Sequence, residues 1–435
     1  MENNNFENNE KKYKQCEIKC ATCEQASKNG HLECLKYYAH ETECSWNVRE
    51  RACEYASENG HLGCLKYAHE NKCPWDTRTC EQAARNGNLD CLKYAHENGC
   101  PWDTKTCEQA ARNGNLDCLK YAHENGCPWD TRTCEQAARN GNLDCLKYAH
   151  ENKCPWDTRT CEQAARNGNL DCLKYAHQNG CPWNVYTYEY AAENGHVNCL
   201  EYAYENRCPL NVRKFINVVE NVNLDYSHEN DCPWDARTCE QAAKNGHLDC
   251  LEYAHKNGCP WNVRTCEEAA RNGHLDCLKY AHENGCPWNV RTCEYASENG
   301  HLDCLKYAHE NGCPWDDTFA CAGAAKNGHL ECLKYAHKND CYWNSWTCEY
   351  AAENGHLDCL KYAHENGCWW NMNTYIYAAR NGHLDCLKYA HENKCPWDTS
   401  RIYNSVGMNE KIKEYIKKKI QVIDYSEKFL LCKNC

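Results

Sequence analysis

Apolar positions in this chain fall into two short helical stripes that alternate along almost its whole length. Around residues 76–102, Leu89, Leu92 and Ala95 are spaced three apart with Cys91 beside them, one face of an α-helix. Ahead of that stripe, Thr77 to Arg85 forms a second candidate helix that runs into Asn86-Gly87, a stop with a residue tolerant of left-handed dihedrals. Asp76 stands where an N-cap belongs, its carboxylate able to accept from the free N–H groups of the first turn. The later stripe ends at Gly99 with Pro101 two residues on, again a stop. The pattern predicts two short antiparallel helices, neither able to bury its apolar face alone.

The same pattern returns at a fixed interval. One Cys of the unit falls at 73, 100, 127, 154, 181, 208, 232, 259, 286, 313, 341, 368 and 395, a spacing of 27 with one 24 and one 28. A period of this size specifies stacked repeats, in which neighbours bury each other's faces. The reading is an all-α solenoid of about 14 helix pairs over residues 21–400. A polar tail at 1–20 precedes it. After Trp397, Ile412, Ile416 and Ile420 keep a four-residue period among lysines, which fits a capping helix and tail at 401–435.

From its Ala-Ala pair onward the unit resembles the ankyrin repeat. Ala269 to Gly285 reads Ala-Ala-Arg-Asn-Gly-His-Leu-Asp-Cys-Leu-Lys-Tyr-Ala-His-Glu-Asn-Gly, similar to the Ala-Ala, Gly-His-Leu and closing Gly of that family. His31, His61, His196, His247, His274, His301, His329, His356 and His383 match its His, while Asn88, Asn115, Asn142 and Asn169 replace it in four units. The family repeat runs to about 33 residues. The residues missing here are those of the β-hairpin finger, and Thr-Cys-Glu-Gln or similar stands in place of Thr-Pro-Leu-His. The unit is similar to the short Cys-Pro-Trp repeats of giant DNA viruses of amoebae. The resemblance implies stacked helix pairs without a long finger, a non-catalytic role, and a protein partner, in a host cell if the chain is viral.

Composition narrows the options. A net charge of −13 with basic residues spread along the array excludes an obvious nucleic-acid footprint before the short run at 411–419. The polar, Asn-rich start is not a secretory signal, and no apolar run is long enough for a membrane span, so a cytoplasmic monomer is expected.

Forty-two cysteines invite a metal or redox reading. A Cys₃His site in each unit from Cys80, Cys91, His96 and Cys100 is opposed by geometry, since residues five apart on a helix point about 140° away from each other. Tyr188 and Tyr375 also replace the first Cys, and Tyr204 the His, without loss of the unit. The expectation is small buried hydrophobes, with no metal and no cofactor. Cys16-x3-Cys20-x2-Cys23 and Cys432-x2-Cys435 carry only a faint metal pattern.

Trp75, Trp102, Trp129, Trp156, Trp183, Trp234, Trp261, Trp288, Trp315, Trp343 and Trp397 occupy the turns between units. Fully buried, each would contribute on the order of 4–6 kcal/mol before entropy and clamp successive repeats. Positions that vary among near-identical copies point to function. Tyr190, Tyr295, Tyr350 and Tyr377 take the place of Gln82, and Tyr186 and Trp346 that of Arg78. All six lie on first helices, whose family counterparts line a concave face, and are candidate partner-binding residues.

The favoured reading is a protein-interaction scaffold with no enzymatic activity, its partner docked along the first-helix face. A cysteine-rich metal-binding or redox-sensing array, and an adaptor for a host ubiquitin ligase, stand as alternatives. The unit at 208–231 is eroded: Leu210 replaces its Trp and Val222 its Gly. Three missing residues rotate a helix face by about 60°. Limited proteolysis is expected to cut first between 205 and 232, and uniform resistance there would refute a weak point.

Overall fold

The structure, a computed structural model, describes residues 20–41, 51–208, 236–314, 319–398 and 410–419. Every regular element among them is an α-helix. Thirteen pairs run from Cys23–Asn29 with Leu32–Glu41 to Met372–Asn381 with Leu384–Glu392. A last helix covers 410–419. The chain divides into two compact units, Met1–Pro233 and Trp234–Cys435. Beyond Cys208, the eroded repeat lies outside the described residues.

One pair shows how the sequence builds the rest. Asp103 is extended, and its Oδ1 accepts from the Lys105 N–H at 2.9 Å, starting the helix Thr104–Arg112. Gly114, at φ +75°, turns the chain into Leu116–Glu124. Six residues, Asn125 to Asp130, then connect to the next pair without forming a strand, so the finger is absent here.

The core is made of small residues. Cys107, Ala110, Ala111, Cys118, Leu119 and Ala122 are at most 1% exposed. Alanine and cysteine on the first helix let first helices of successive units lie close side by side. A leucine on each second helix adds the bulk, each buried side chain contributing about 1.5–3 kcal/mol. The turn cysteines are tied in by weak S–H donation: Cys127 Sγ reaches the Asp103 carbonyl at 3.3 Å and Cys100 Sγ the Asp76 carbonyl at 3.3 Å. This bond joins the residue that closes a unit to the residue that caps its first helix.

The decisive contact runs between units. Asn115 stands at the N-cap position of its own helix but makes no side-chain cap bond there. Its Nδ2 donates backward instead, to the carbonyls of Ala84 at 2.9 Å and Arg85 at 2.8 Å. These are C-terminal carbonyls of the preceding unit's first helix, which lack partners within that helix. Asn88, Asn142 and Asn169 do the same to their predecessors. His274 reaches the Lys244 backbone from the same place, so Asn and His are alternative solutions to one bonding problem.

This contact separates two kinds of glycine. A Cβ on Gly114 would lie 2.8 Å from Asn142 Oδ1, and the backbone is left-handed there, so only glycine fits. The glycine that ends the second helix faces open space, as at Gly126. That place therefore admits Lys72, Lys153, Arg207, Asp340 and Lys394, each at positive φ. Such substitutions cost about 1–2 kcal/mol each in backbone conformation.

Replacing Asn142 by alanine is expected to lower the urea-unfolding stability of the array by about 1–3 kcal/mol, by removing the donor to the Arg112 carbonyl and leaving the Ala111 carbonyl to backbone bonds from Asn113 and Gly114. Asn142→His should restore most of the loss.

Candidate protein-binding surface

A ladder of three side chains runs along the second helices and their turns. His96, in the last turn of Leu89–Glu97, stacks on Trp102 at 3.8 Å between ring centroids and 11° between planes. Tyr121, on the next unit's second helix, meets Trp102 edge-on at 6.4 Å and brings its hydroxyl to 3.1 Å from His96 Nδ1. Trp75, Trp129, Trp156, Trp183, Trp261, Trp288 and Trp343 repeat the stack on His69, His123, His150, His177, His255, His282 and His337. Each indole thus touches a histidine of one unit and a tyrosine of the next. Trp397 differs: it meets His391 edge-on at 5.2 Å and tilts against Tyr375 at 5.5 Å. Trp234 and Trp315 lie outside the described residues.

Most of these tryptophans are only half-buried, less than the full burial expected from sequence. One face lies on the imidazole while the turn leaves another part in water. Trp183, at 9% exposed, is the deepest of the expected set. Sequence reasoning missed Trp370, equally buried and stacked on His364 at 3.8 Å. Trp369 stands where the proline of the motif belongs and obscures the match. Counting two residues on from Cys368 recovers it. The histidine and tyrosine partners were also missed, although they keep fixed distances from the Trp in every clear copy.

The six candidate partner-binding residues separate into different environments. Tyr186 and Tyr190 stack on each other at 5.9 Å, and the Arg166 guanidinium lies over the Tyr190 ring at 4.4 Å. Arg271 covers Tyr295 at 3.6 Å. Tyr190 and Tyr295 are therefore engaged in packing between units. Tyr350 and Tyr377 are half-buried. Trp346 is 42% exposed.

Trp346 has company that sequence reasoning did not find. The exposed large apolar side chains among the described residues are Phe319, Tyr342, Trp346 and Trp369, at 49%, 63%, 42% and 68%. Phe319 and Trp346 are neighbours on successive first helices, with ring centroids 6.2 Å apart. The Asn344 side chain caps the helix that carries Trp346, accepting from its N–H at 2.9 Å. Tyr342 and Trp369 occupy the proline place of two successive turns. In the first compact unit these places line one groove, formed by Arg51, Glu54, Pro74, Trp75, Asp76, Arg78 and Thr79. The places of Arg51, Glu54, Pro74 and Arg78 hold Phe319, Ala322, Tyr342 and Trp346 in the second unit. Aromatic and small apolar side chains thus take the places of the charged ones. The 28-residue spacing between Cys313 and Cys341 hid Phe319 by shifting its register.

Every described cysteine is buried. Contact with Cys100 first, then burial, holds the Cys80 thiol far above the usual range. Burial also pushes the Cys118 thiol up to about 12. Such thiols are poor nucleophiles, whereas bonds from Cys293 and Cys348 hold the Cys313 and Cys368 thiols below the ordinary value.

Family models for ankyrin repeats match residues 80–123, 107–150, 239–282 and 266–309 (a many-copy model) and 293–374 (a three-copy model). Ankyrin repeats are thus present across just under half of the chain. Among solved structures, the chain is similar to the crystal structure of the human ASB11 ankyrin repeat domain, at 20% identity and a TM-score of 0.32, over 42% of this chain and 84% of that one. No curated protein matches. No helix among the described residues is long and apolar enough to cross a membrane.

The ladder and the groove respond to acid in opposite directions. Burial lowers the pKa of His255, His282, His337, His364 and His391 in the second compact unit, and of His177 in the first, from the ordinary 6.5. A lowered imidazole stabilises the fold above 6.5, and that stability is lost as pH falls through the lowered folded value. Burial raises the carboxyls of Glu54, Glu81 and Glu135, all in the first unit. Ionised, these cost stability, and the cost is relieved as pH falls through their raised values. Hydrogen exchange at pH 7 and pH 5.5 should show protection falling in residues 248–392 and holding or rising in residues 52–151. Equal loss in both would contradict the assignment.

Proposed function

We propose that this ankyrin-repeat array is a non-catalytic scaffold that binds another protein along its first-helix side, with Phe319, Tyr342, Trp346 and Trp369 as the anchor. The observation that carries the proposal is that, among the described residues, the exposed large aromatics all fall within 319–369. Tryptophan, tyrosine and phenylalanine are the side chains that dominate protein interfaces, because each buries a large area at low entropic cost. Hot-spot residues of this kind commonly cost 2 kcal/mol or more on truncation.

Catalysis needs a unique constellation, whereas the His, Tyr and Cys groups here recur from unit to unit in the same contacts. An acidic balance of −13 argues against nucleic acid as the partner. A cytoplasmic setting, where thiols are kept reduced, suits a chain this rich in cysteine.

Affinity capture followed by calorimetry with the recovered protein tests this reading. Phe319→Ser combined with Trp346→Ser should weaken binding by roughly 10²- to 10³-fold, since each exposed anchor contributes on the order of 2 kcal/mol. The melting temperature should stay within about 2 °C of wild type, because exposed side chains contribute little to folding. Undiminished binding by the double variant would move the interface elsewhere.

A further inference from the structure

The strongest unassigned cluster is at the start of the array. Cys20, His31 and Cys34 bring three metal-ligating atoms within 4.8 Å of one another, and both cysteines are buried. Cys20 Sγ lies 3.1 Å from His31 Nδ1. In a tetrahedral zinc site, bonds of about 2.0–2.3 Å set ligand atoms roughly 3.4–3.8 Å apart. The three atoms therefore need to move only by fractions of an ångström to a few tenths more than one.

The repeat explains why this place is special. His31 is the copy of Asn88 and His274, whose side chains bond to the backbone of a preceding unit. In the first unit the ring nitrogen meets Cys20 instead. Cys20 takes the place held by Thr77, Thr104, Thr131 and Thr158, so it adds to the His and second-helix Cys a sulfur that those units lack. Among the described residues no other group of three such ligands converges in this way.

We propose that Cys20, His31 and Cys34 bind one zinc(II) ion, which ties Cys20 to the two helices of the first repeat. Soft thiolates with an imidazole are the donor set that zinc takes in structural sites. Binding forms two Zn–S bonds and one Zn–N bond and releases two thiol protons to solvent, leaving a fourth coordination position for water or another donor. The faint Cys16-x3-Cys20-x2-Cys23 spacing did not reveal the site, because Cys23 is not one of its ligands and His-x2-Cys recurs in other units.

The repeat also supplies variants compatible with the fold. Cys20→Thr and His31→Asn install residues that four other units carry at these places. The full chain, purified under reducing conditions and stripped with a chelator, is titrated with zinc chloride and, separately, cobalt(II) chloride. Wild type should take up one equivalent of zinc by mass spectrometry, and cobalt should give a thiolate charge-transfer band. Both variants should lose affinity by about 100-fold or more while keeping the metal-free melting temperature. No uptake by wild type, or a full equivalent retained by both variants, would overturn the proposal.

Discussion

The array rests on a hydrogen bond that no single repeat can make. A helix ends with carbonyls that have no partner of their own, and here the following unit supplies the donor, from Asn115 to Ala84 and Arg85 and from its counterparts elsewhere. The donor must approach the chain closely, which in turn requires a glycine at Gly87 and its copies. Helix termination, glycine placement and unit-to-unit register are thus one constraint seen from three sides. The ladder of His96, Trp102 and Tyr121 reinforces the same junction from the second helices.

Much of this was legible in the sequence, and the unreadable part has a physical explanation. The helix pairs, the Asp103-type caps and the left-handed turns at Gly114 follow from local chemistry, which acts within a few residues. The bond from Asn115 crosses about one repeat length. Read locally, the residue looked like a cap for its own helix, and only stacking reveals that it serves another. Trp102 was recognisable as a junction residue, but its half-buried state depends on a histidine six residues earlier and a tyrosine in the next unit. The candidate surface was harder still. Trp346 stood out as a substitution, whereas Phe319 and Trp370 were masked by a one-residue insertion and a broken motif. Tyr190 and Tyr295 looked equally exceptional in sequence, yet arginines of neighbouring units cover both rings.

The abundance of cysteine follows from the same close stacking. A position between first helices must be small, apolar and able to satisfy a stray carbonyl, and cysteine meets all three conditions through its weak S–H donor. Cys53, on a first helix, does so at the Cys73 carbonyl, 3.8 Å away. The element that would signal redox chemistry in another setting is here mainly a packing unit. The one place where cysteine has company of a different kind is the first repeat.

Each repeat presents a donor on one side and the matching acceptors on the other. Such a head-to-tail joint has no inherent stopping point, and two chains with bare ends could join as readily as two repeats within one chain. Cys20, held against His31, occupies the ring nitrogen that a foreign repeat's carbonyl would otherwise engage. The buried Ile412 and Ile416 of the helix at 410–419, with Tyr415 edge-on to His391, give the last repeat a neighbour of another kind. Among the described residues, the first and last repeats therefore close on contacts unlike the one that joins repeat to repeat, so a single modular rule ends in two different ways.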